Sequence, residues 1–179
     1  KYIFLPLQLI DDSVAKLAYI PTLDLAAKLV RFIPERGYDL VIKRHPKCTS
    51  PDVEKFLEEL RGHKNVHLTN SAIHDVISDA EAVFTVNSGV GLEALLRGKR
   101  VITTGKSEYA LASTVVENES QLIDAIEGIG EAYDLERAQR FAYYYFSHYA
   151  FSLDDQEKFR EKILGACGYQ TTQSELVQP

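Results

Sequence analysis

The stretch that decides the fold is Ala82-Val83-Phe84-Thr85-Val86-Asn87-Ser88-Gly89-Val90-Gly91-Leu92-Glu93-Ala94-Leu95-Leu96-Arg97-Gly98-Lys99-Arg100-Val101-Ile102-Thr103-Thr104-Gly105. Ala82 to Val86 is a short apolar run, which reads as a strand buried on both faces. The small polar residues Asn87, Ser88 and Gly89 follow at once. Gly91 to Arg97 reads as a helix stopped by Gly98, and Arg100 to Thr104 as another buried strand closed by Gly105. Strand, tight turn, helix and strand in so few residues form the unit from which parallel sheets are built.

The same alternation extends toward the N-terminus. Tyr2 to Leu5 is a β-branched and aromatic strand ended by Pro6, and Leu7 to Ser13 is a loop. Thr22 to Arg36 places Leu23, Ala26, Ala27, Leu29, Val30 and Ile33 on a helical stripe, with Thr22 as N-cap, Gly37 as the latest stop and Pro34 as an earlier one. Asp39 to Lys43 is a strand, and Ser50-Pro51 opens a helix that runs to about Arg61. Asn65 to Thr69 is a strand and Ser71 to Ser78 a short helix. Beyond Gly105, Ser120 to Ile129, Asp134 to Tyr149 and Asp154 to Ala166 read as helices, and Gln170 to Pro179 as polar. The expected class is α/β: a Rossmann-like parallel sheet of about five or six strands, helices on both faces, and additional C-terminal helices. One domain spans residues 1–166, with a polar tail over 167–179.

Composition narrows the function. Apolar residues are 45% and charged ones 26% of the chain, which suits a folded globular domain and excludes disordered and collagen-like classes. The 26 acidic against 20 basic residues give a net charge of -6, which argues against indiscriminate binding to nucleic acid or anionic lipid. Cys48 and Cys167 are the only cysteines, in no metal-ligand spacing, so a reducing compartment is expected. No apolar run approaches the roughly 20 residues of a membrane helix, and no export signal opens the chain. With Lys1 first and no Met, the chain reads as a piece of a longer product.

In an open parallel sheet, ligands bind beyond the carboxyl ends of the strands. Three polar clusters fall there: Gln8-Leu9-Ile10-Asp11-Asp12-Ser13, Lys43-Arg44-His45-Pro46-Lys47, and Asn87-Ser88-Gly89-Val90-Gly91. In the third, small residues at a helix start let backbone amides reach a phosphate, Asn87 and Ser88 add donors, and Gly89 or Gly91 can take unusual backbone angles. An ordinary capped turn uses the same residues. Lys43, Arg44, His45 and Lys47 concentrate cations where a phosphate ester would lie, and His45 can donate to a phosphoryl oxygen or protonate it as it leaves. A solvated basic loop is the plainer alternative. Glu93, read in the first turn of its helix, suits ribose hydroxyls or simply the helix dipole. Asp11 and Asp12 offer a nucleophile or base, or else a turn. His63, His67, His74 and His148 make no convincing metal set, and the aromatic run Phe141 to Tyr149 is assigned to packing.

Taken in order, these clusters, with the run Val86 to Ile102 and with Gly105 and Tyr109 beyond it, resemble the bacterial capsule polysaccharide synthesis family that includes β-Kdo transferases. The resemblance covers roughly Tyr2 to Tyr109 and is most specific from Asn87 to Ile102. It implies the C-terminal, nucleotide-sugar half of a GT-B enzyme, inactive alone and lacking its N-terminal acceptor half. It implies a CMP-activated donor such as CMP-Kdo, with His45 and the Asn87-Ser88-Gly89 turn on the phosphate and Glu93 on the ribose. A carboxylate of Asp11 or Asp12, with Asp12 preferred, would attack the anomeric carbon. No metal or other cofactor is expected, because the basic loop and helix end supply the positive charge. The acceptor would be a glycan or glycolipid, at the inner face of the cytoplasmic membrane, without a transmembrane segment and without nucleic acid. One departure stands out: Asn87-Ser88 replaces the two hydroxyl residues of many relatives. A non-catalytic module docking a partner through the helix around Tyr143, and a transferase acting on a CDP-polyol, are the competing readings.

Overall fold

The structure, a computed structural model, describes residues 1–149 together with 155, 157, 158, 160 and 161. Side chains alternate along its strands and sort into two apolar layers. β1 (Tyr2–Pro6) sends Ile3 and Leu5 to one face and Phe4 to the other; β4 (Ala82–Thr85) sends Ala82 and Phe84 to the first and Val83 to the second. Strands apolar on both sides need a helical layer over each face. The first face is covered by α1 (Thr22–Glu35), α2 (Pro51–Glu59) and α5 (Glu119–Glu127), and the second by α3 (Ile73–Asp79) and α4 (Gly89–Leu96).

With β2 (Asp39–Lys43), β3 (Val66–Leu68), β5 (Arg100–Thr103) and β6 (Thr114–Val115), six strands pair in parallel in the order β3-β2-β1-β4-β5-β6. Phe4 lies opposite both Val41 and Val83, so β1 is central. The order reverses between β1 and β4, and at that reversal the strand ends leave a crevice. The predicted Rossmann-like α/β sheet is therefore present.

The differences are local and have physical causes. Thr22 is the first residue of α1 rather than its cap; Pro21 precedes it, without a side-chain bond to the helix end. Pro34 does not end α1 early, because it sits in the last turn, where Arg36 and Gly37 bond back to Ile33 and Pro34. Helix α4 begins two residues before the predicted start, capped by Ser88, so Glu93 lies in its second turn rather than its first. Gly98, at φ 69°, stops it as predicted: Gly98 and Lys99 donate to Leu95 and Ala94, the Schellman arrangement. Just beyond the predicted loop Leu7 to Ser13, Val14–Leu17 forms a 3-10 turn. β6 has only two residues, too few for a periodic signal.

The chain groups into two units, Lys1–Phe141 and Ala142–Pro179. Helix α6 (Leu135–Tyr144) buries Ala138 and is followed by a π-helical turn, Tyr145–Tyr149. The aromatic residues assigned to packing are largely exposed there: Tyr143, Tyr144, Phe146 and Tyr149 each expose half or more of their surface. Tyr144 stacks on His148 at 4.9 Å. The predicted helix Asp154–Ala166, the tail and Cys167 fall almost wholly outside the described residues. Among those described, no helix is long and apolar enough to cross a membrane.

Candidate functional site

Gln8 leaves β1 and Asn87 leaves β4 at the reversal of strand order, and both are buried. Gln8 Nε2 donates to Asn87 Oδ1 at 2.8 Å, and the Asn87 backbone N–H donates to Gln8 Oε1 at 3.2 Å. Asn87 Nδ2 donates to two carbonyls, Val14 at 2.7 Å and Lys106 at 3.2 Å. Carbonyls only accept, so this amide has one workable orientation. Its side-chain donors, expected on a phosphate, are both engaged within the protein. Beneath them the fully buried Thr85 hydroxyl donates to Gln8 Oε1 at 3.5 Å and accepts the Ser88 N–H at 3.3 Å.

The start of α4 is built just above this pair. Ser88 Oγ accepts the Val90 N–H at 3.3 Å, and the Gly89 N–H has no partner among the described residues. The Ser88 carbonyl accepts from Gly91 N–H at 2.9 Å and from the Tyr109 hydroxyl at 2.5 Å. Tyr109 is wholly buried; that burial, reinforced by the Glu108 charge, pushes its phenol well above the usual range and keeps it a donor. Gly91 lies against its ring. A Cβ there would stand 2.6 and 2.7 Å from ring carbons Cζ and Cε2. Neither Gly89 nor Gly91 adopts a positive φ, contrary to the expected unusual angles: Gly91 is needed for close approach, and Gly89 faces open space.

The second cluster divides. Period-two alternation puts Arg44 on the same side as Ile42, where its Nη1 pairs with Glu54 of α2; that bond raises the Arg44 pKa further. Lys43 falls on the opposite side and is half-buried. His45 Nδ1 accepts the Lys47 N–H at 3.2 Å, and the His45 carbonyl accepts the Cys48 N–H at 2.9 Å. An accepting Nδ1 leaves the ring proton on Nε2, which has no partner among the described residues.

Lys47 meets the first cluster. An open cleft of about 230 Å³ is lined by Asp11, Asp12, Lys47, Thr49 and Ser50, with Cys48 at its wall. Asp12 Oδ1 accepts from Ser13 Oγ and from Val14 N–H, both at 3.3 Å, which fixes the carboxylate and leaves Oδ2 open. Asp11 is exposed, with no side-chain bond among the described residues. Glu93 lies toward α3, its Oε2 3.4 Å from His74 Nδ1. Arg97 Nη2 is nearer that nitrogen, at 2.8 Å, and a guanidinium can only donate, so Nδ1 accepts from Arg97 and Glu93 Oε2 has no hydrogen bond.

Thus the first and second clusters share a cleft, and the first and third are joined through Gln8 and Asn87. With adjacent strands about 4.8 Å apart, the ends of β2 and β4 lie about 10 Å apart across β1, on the same sheet edge. Thr85, Lys106 and Tyr109 also organise the site. Motif reading gave them no role: Thr85 lies inside a strand, and the Tyr109–Gly91 fit has no sequence period. Among the described residues no group of His, Cys, Asp and Glu is placed to hold a metal ion.

Several known proteins are similar to this chain. FixF of Sinorhizobium fredii (strain NBRC 101917 / NGR234) is 32% identical over 122 residues, 64% of this chain and 29% of that protein. Among solved structures, the β-Kdo 2,7 transferase of Thermosulfurimonas dismutans KpsC superposes with TM-score 0.51 at 25% identity, covering 79% of this chain and 45% of that one. The β-Kdo 2,4 transferase of the same KpsC gives 0.53 at 20% identity, with 80% and 44% covered. UDP-GlcNAc 2-epimerase of Methanocaldococcus jannaschii gives 0.59 at 18% identity, with 78% and 44% covered, a likeness of fold. The chain therefore spans less than half the length of these relatives. A family profile described as "Capsule polysaccharide biosynthesis protein" matches residues 1–127, most of the described fold and every residue of the site, and the chain belongs to that family.

Proposed function

We propose that this chain is the donor-binding half of a glycosyltransferase that uses a CMP-activated sugar, CMP-Kdo, to extend a capsule or lipopolysaccharide glycan. The observation that carries the reading is the convergence of all three clusters on the crevice edge, through the Gln8–Asn87 pair and the Asp11–Lys47 cleft. Membership of the capsule family and the likeness to two β-Kdo transferases support the sugar.

The donor phosphate lies against the Gly89 amide, the one N–H of this turn that the Thr85 and Ser88 hydroxyls do not engage, and against the positive end of α4. His45 Nε2–H donates to a phosphoryl oxygen; with Nδ1 already accepting a backbone N–H, the ring works as a donor rather than as an acid. Lys43 and Lys47 add positive charge, so that no metal ion is required. Arg44 takes no direct part, being held by Glu54. Glu93 accepts from the ribose hydroxyls. Asp12 Oδ2 attacks the anomeric carbon, whose bond to the phosphate oxygen breaks with the electron pair passing to CMP. The acceptor hydroxyl then displaces the carboxylate, its proton leaving to solvent, and configuration is retained. The acceptor half of the GT-B enzyme brings the glycan or glycolipid to this edge at the membrane surface.

Calorimetric titration of the full-length protein tests the donor site. CMP binds, UMP binds more weakly, and His45→Ala lowers CMP affinity at least about tenfold, a charge-assisted bond's worth. No CMP binding at millimolar concentration, or an unchanged His45→Ala variant, refutes the proposal. CMP binding without CMP release from CMP-Kdo in the presence of acceptor glycan identifies a non-catalytic module, and turnover of CDP-glycerol identifies a polyol-phosphate transferase.

A further inference from the structure

The 3-10 turn Val14–Leu17 carries Asp12 at its entrance, yet it buries none of its own residues; Val14 and Leu17 are 44% and 47% exposed. Apolar packing therefore cannot hold it in place. Hydrogen bonds from the crevice do. Asn87 Nδ2 donates to the Val14 carbonyl at 2.7 Å, and the Val14 N–H donates to Asp12 Oδ1 at 3.3 Å. The second Nδ2 bond, to the Lys106 carbonyl, fixes a residue whose own N–H donates to the Leu17 carbonyl at 3.0 Å. One buried amide thus grips the turn at its start, while its end is tied by the Ala18–Gly105 antiparallel bridge and by Tyr19 and Ile20, whose N–H groups donate to the Thr104 carbonyl.

We propose that Asn87 is a positioning residue for the Asp12 carboxylate, tying it to the anion-binding start of α4, and that Gln8 holds Asn87 in the orientation this requires. The proposal rests on the role given to Asp12 above. Asn87 immediately precedes Ser88, so the donor phosphate and the attacking carboxylate are referred to a single side chain. Gln8 is 7% and Asn87 8% exposed, and each side-chain nitrogen and oxygen of the pair has at least one partner. A connected, buried polar network of this kind has one low-energy arrangement. The departure from two hydroxyl residues at this turn acquires a reason: neither Ser nor Thr can donate to two carbonyls at once.

Two measurements on the full-length protein test this. By amide exchange, the unaltered protein protects Val14 and Ala15 by at least about 100-fold despite their place in a surface turn, and Asn87→Ala removes that protection while β1 and β4 keep theirs. By CMP release from CMP-Kdo, Asn87→Ala lowers kcat about 100-fold, the cost of a misplacement near 1 Å, with KM within about threefold. Unprotected Val14 and Ala15 amides in the unaltered protein overturn the proposal, even where Asn87→Ala fails to fold. So does a folded Asn87→Ala variant with unchanged kcat. If the unaltered protein neither binds nor releases CMP, it is the donor assignment that fails, and the exchange measurement alone decides whether Asn87 holds the turn.

Discussion

Replacing Gly91 by alanine puts a methyl group where the Tyr109 ring lies. The added Cβ would stand 2.6 Å from Cζ and 2.7 Å from Cε2, well inside contact distance, and closer still to the phenol oxygen. Tyr109 has no exposed surface, so its ring cannot swing into solvent; either the ring or α4 must shift. Overpacking of this kind costs about 1–3 kcal/mol. Displacing the hydroxyl from the Ser88 carbonyl, now at 2.5 Å, loses about 1 kcal/mol more. Alanine returns about 1 kcal/mol through its helix propensity. The net loss is about 2 kcal/mol, or about 4–8 °C in Tm for a chain of this size. Urea unfolding followed by far-UV circular dichroism measures it, with an unchanged m-value. Tyr109→Phe in the Gly91→Ala background should cost less than in the parent, with a coupling of at least about 0.5 kcal/mol. A Gly91→Ala midpoint at or above that of the parent refutes the argument that Gly91 exists for the approach of Tyr109.

Tyr109 also gives a pH signature. The unfolded chain releases a phenol proton near pH 10, while the folded chain retains the Tyr109 proton to higher pH, so its contribution is complete below about pH 10 and is lost above it. Stability should fall there by up to about 1.4 kcal/mol per pH unit for this group, and Tyr109→Phe should flatten the slope in urea midpoints taken from pH 9 to 11. Gly89→Ala meets nothing within 4 Å, so stability should hold or rise by about 0.4–1 kcal/mol while CMP affinity, read by calorimetry, falls; unchanged affinity would place the phosphate elsewhere. Asp12→Asn should reduce CMP release from CMP-Kdo at least about 1000-fold, and Asp11→Asn far less, because only Asp12 is oriented by hydrogen bonds. The reverse order would make Asp11 the nucleophile.

The strands and most helices were legible because their signals are local. Ala82 to Val86 is too apolar to face water on either side, and Ser50-Pro51 and Gly98 mark helix ends through constraints that belong to single residues. Signals that fail locally misled: Pro34 is tolerated in a last turn, and a two-residue strand has no period. The placement of the three clusters on one edge also followed from sequence, since a parallel sheet leaves all its carboxyl ends together.

What the amino-acid sequence determined by itself is thus the α/β class, the order of elements and the edge where polar residues gather, because propensity, periodicity and chain direction are properties of short segments. The division of labour within that edge belongs to the tertiary structure. Arg44 and His45 are neighbours in sequence, but one is paired with Glu54 and the other presents an Nε2 that has no partner among the described residues. Asn87 reads as a ligand donor and is instead the clamp that joins two loops 73 residues apart. A side chain's partners depend on which strands are adjacent and on what remains unsatisfied between them, and those facts exist only once the sheet has formed.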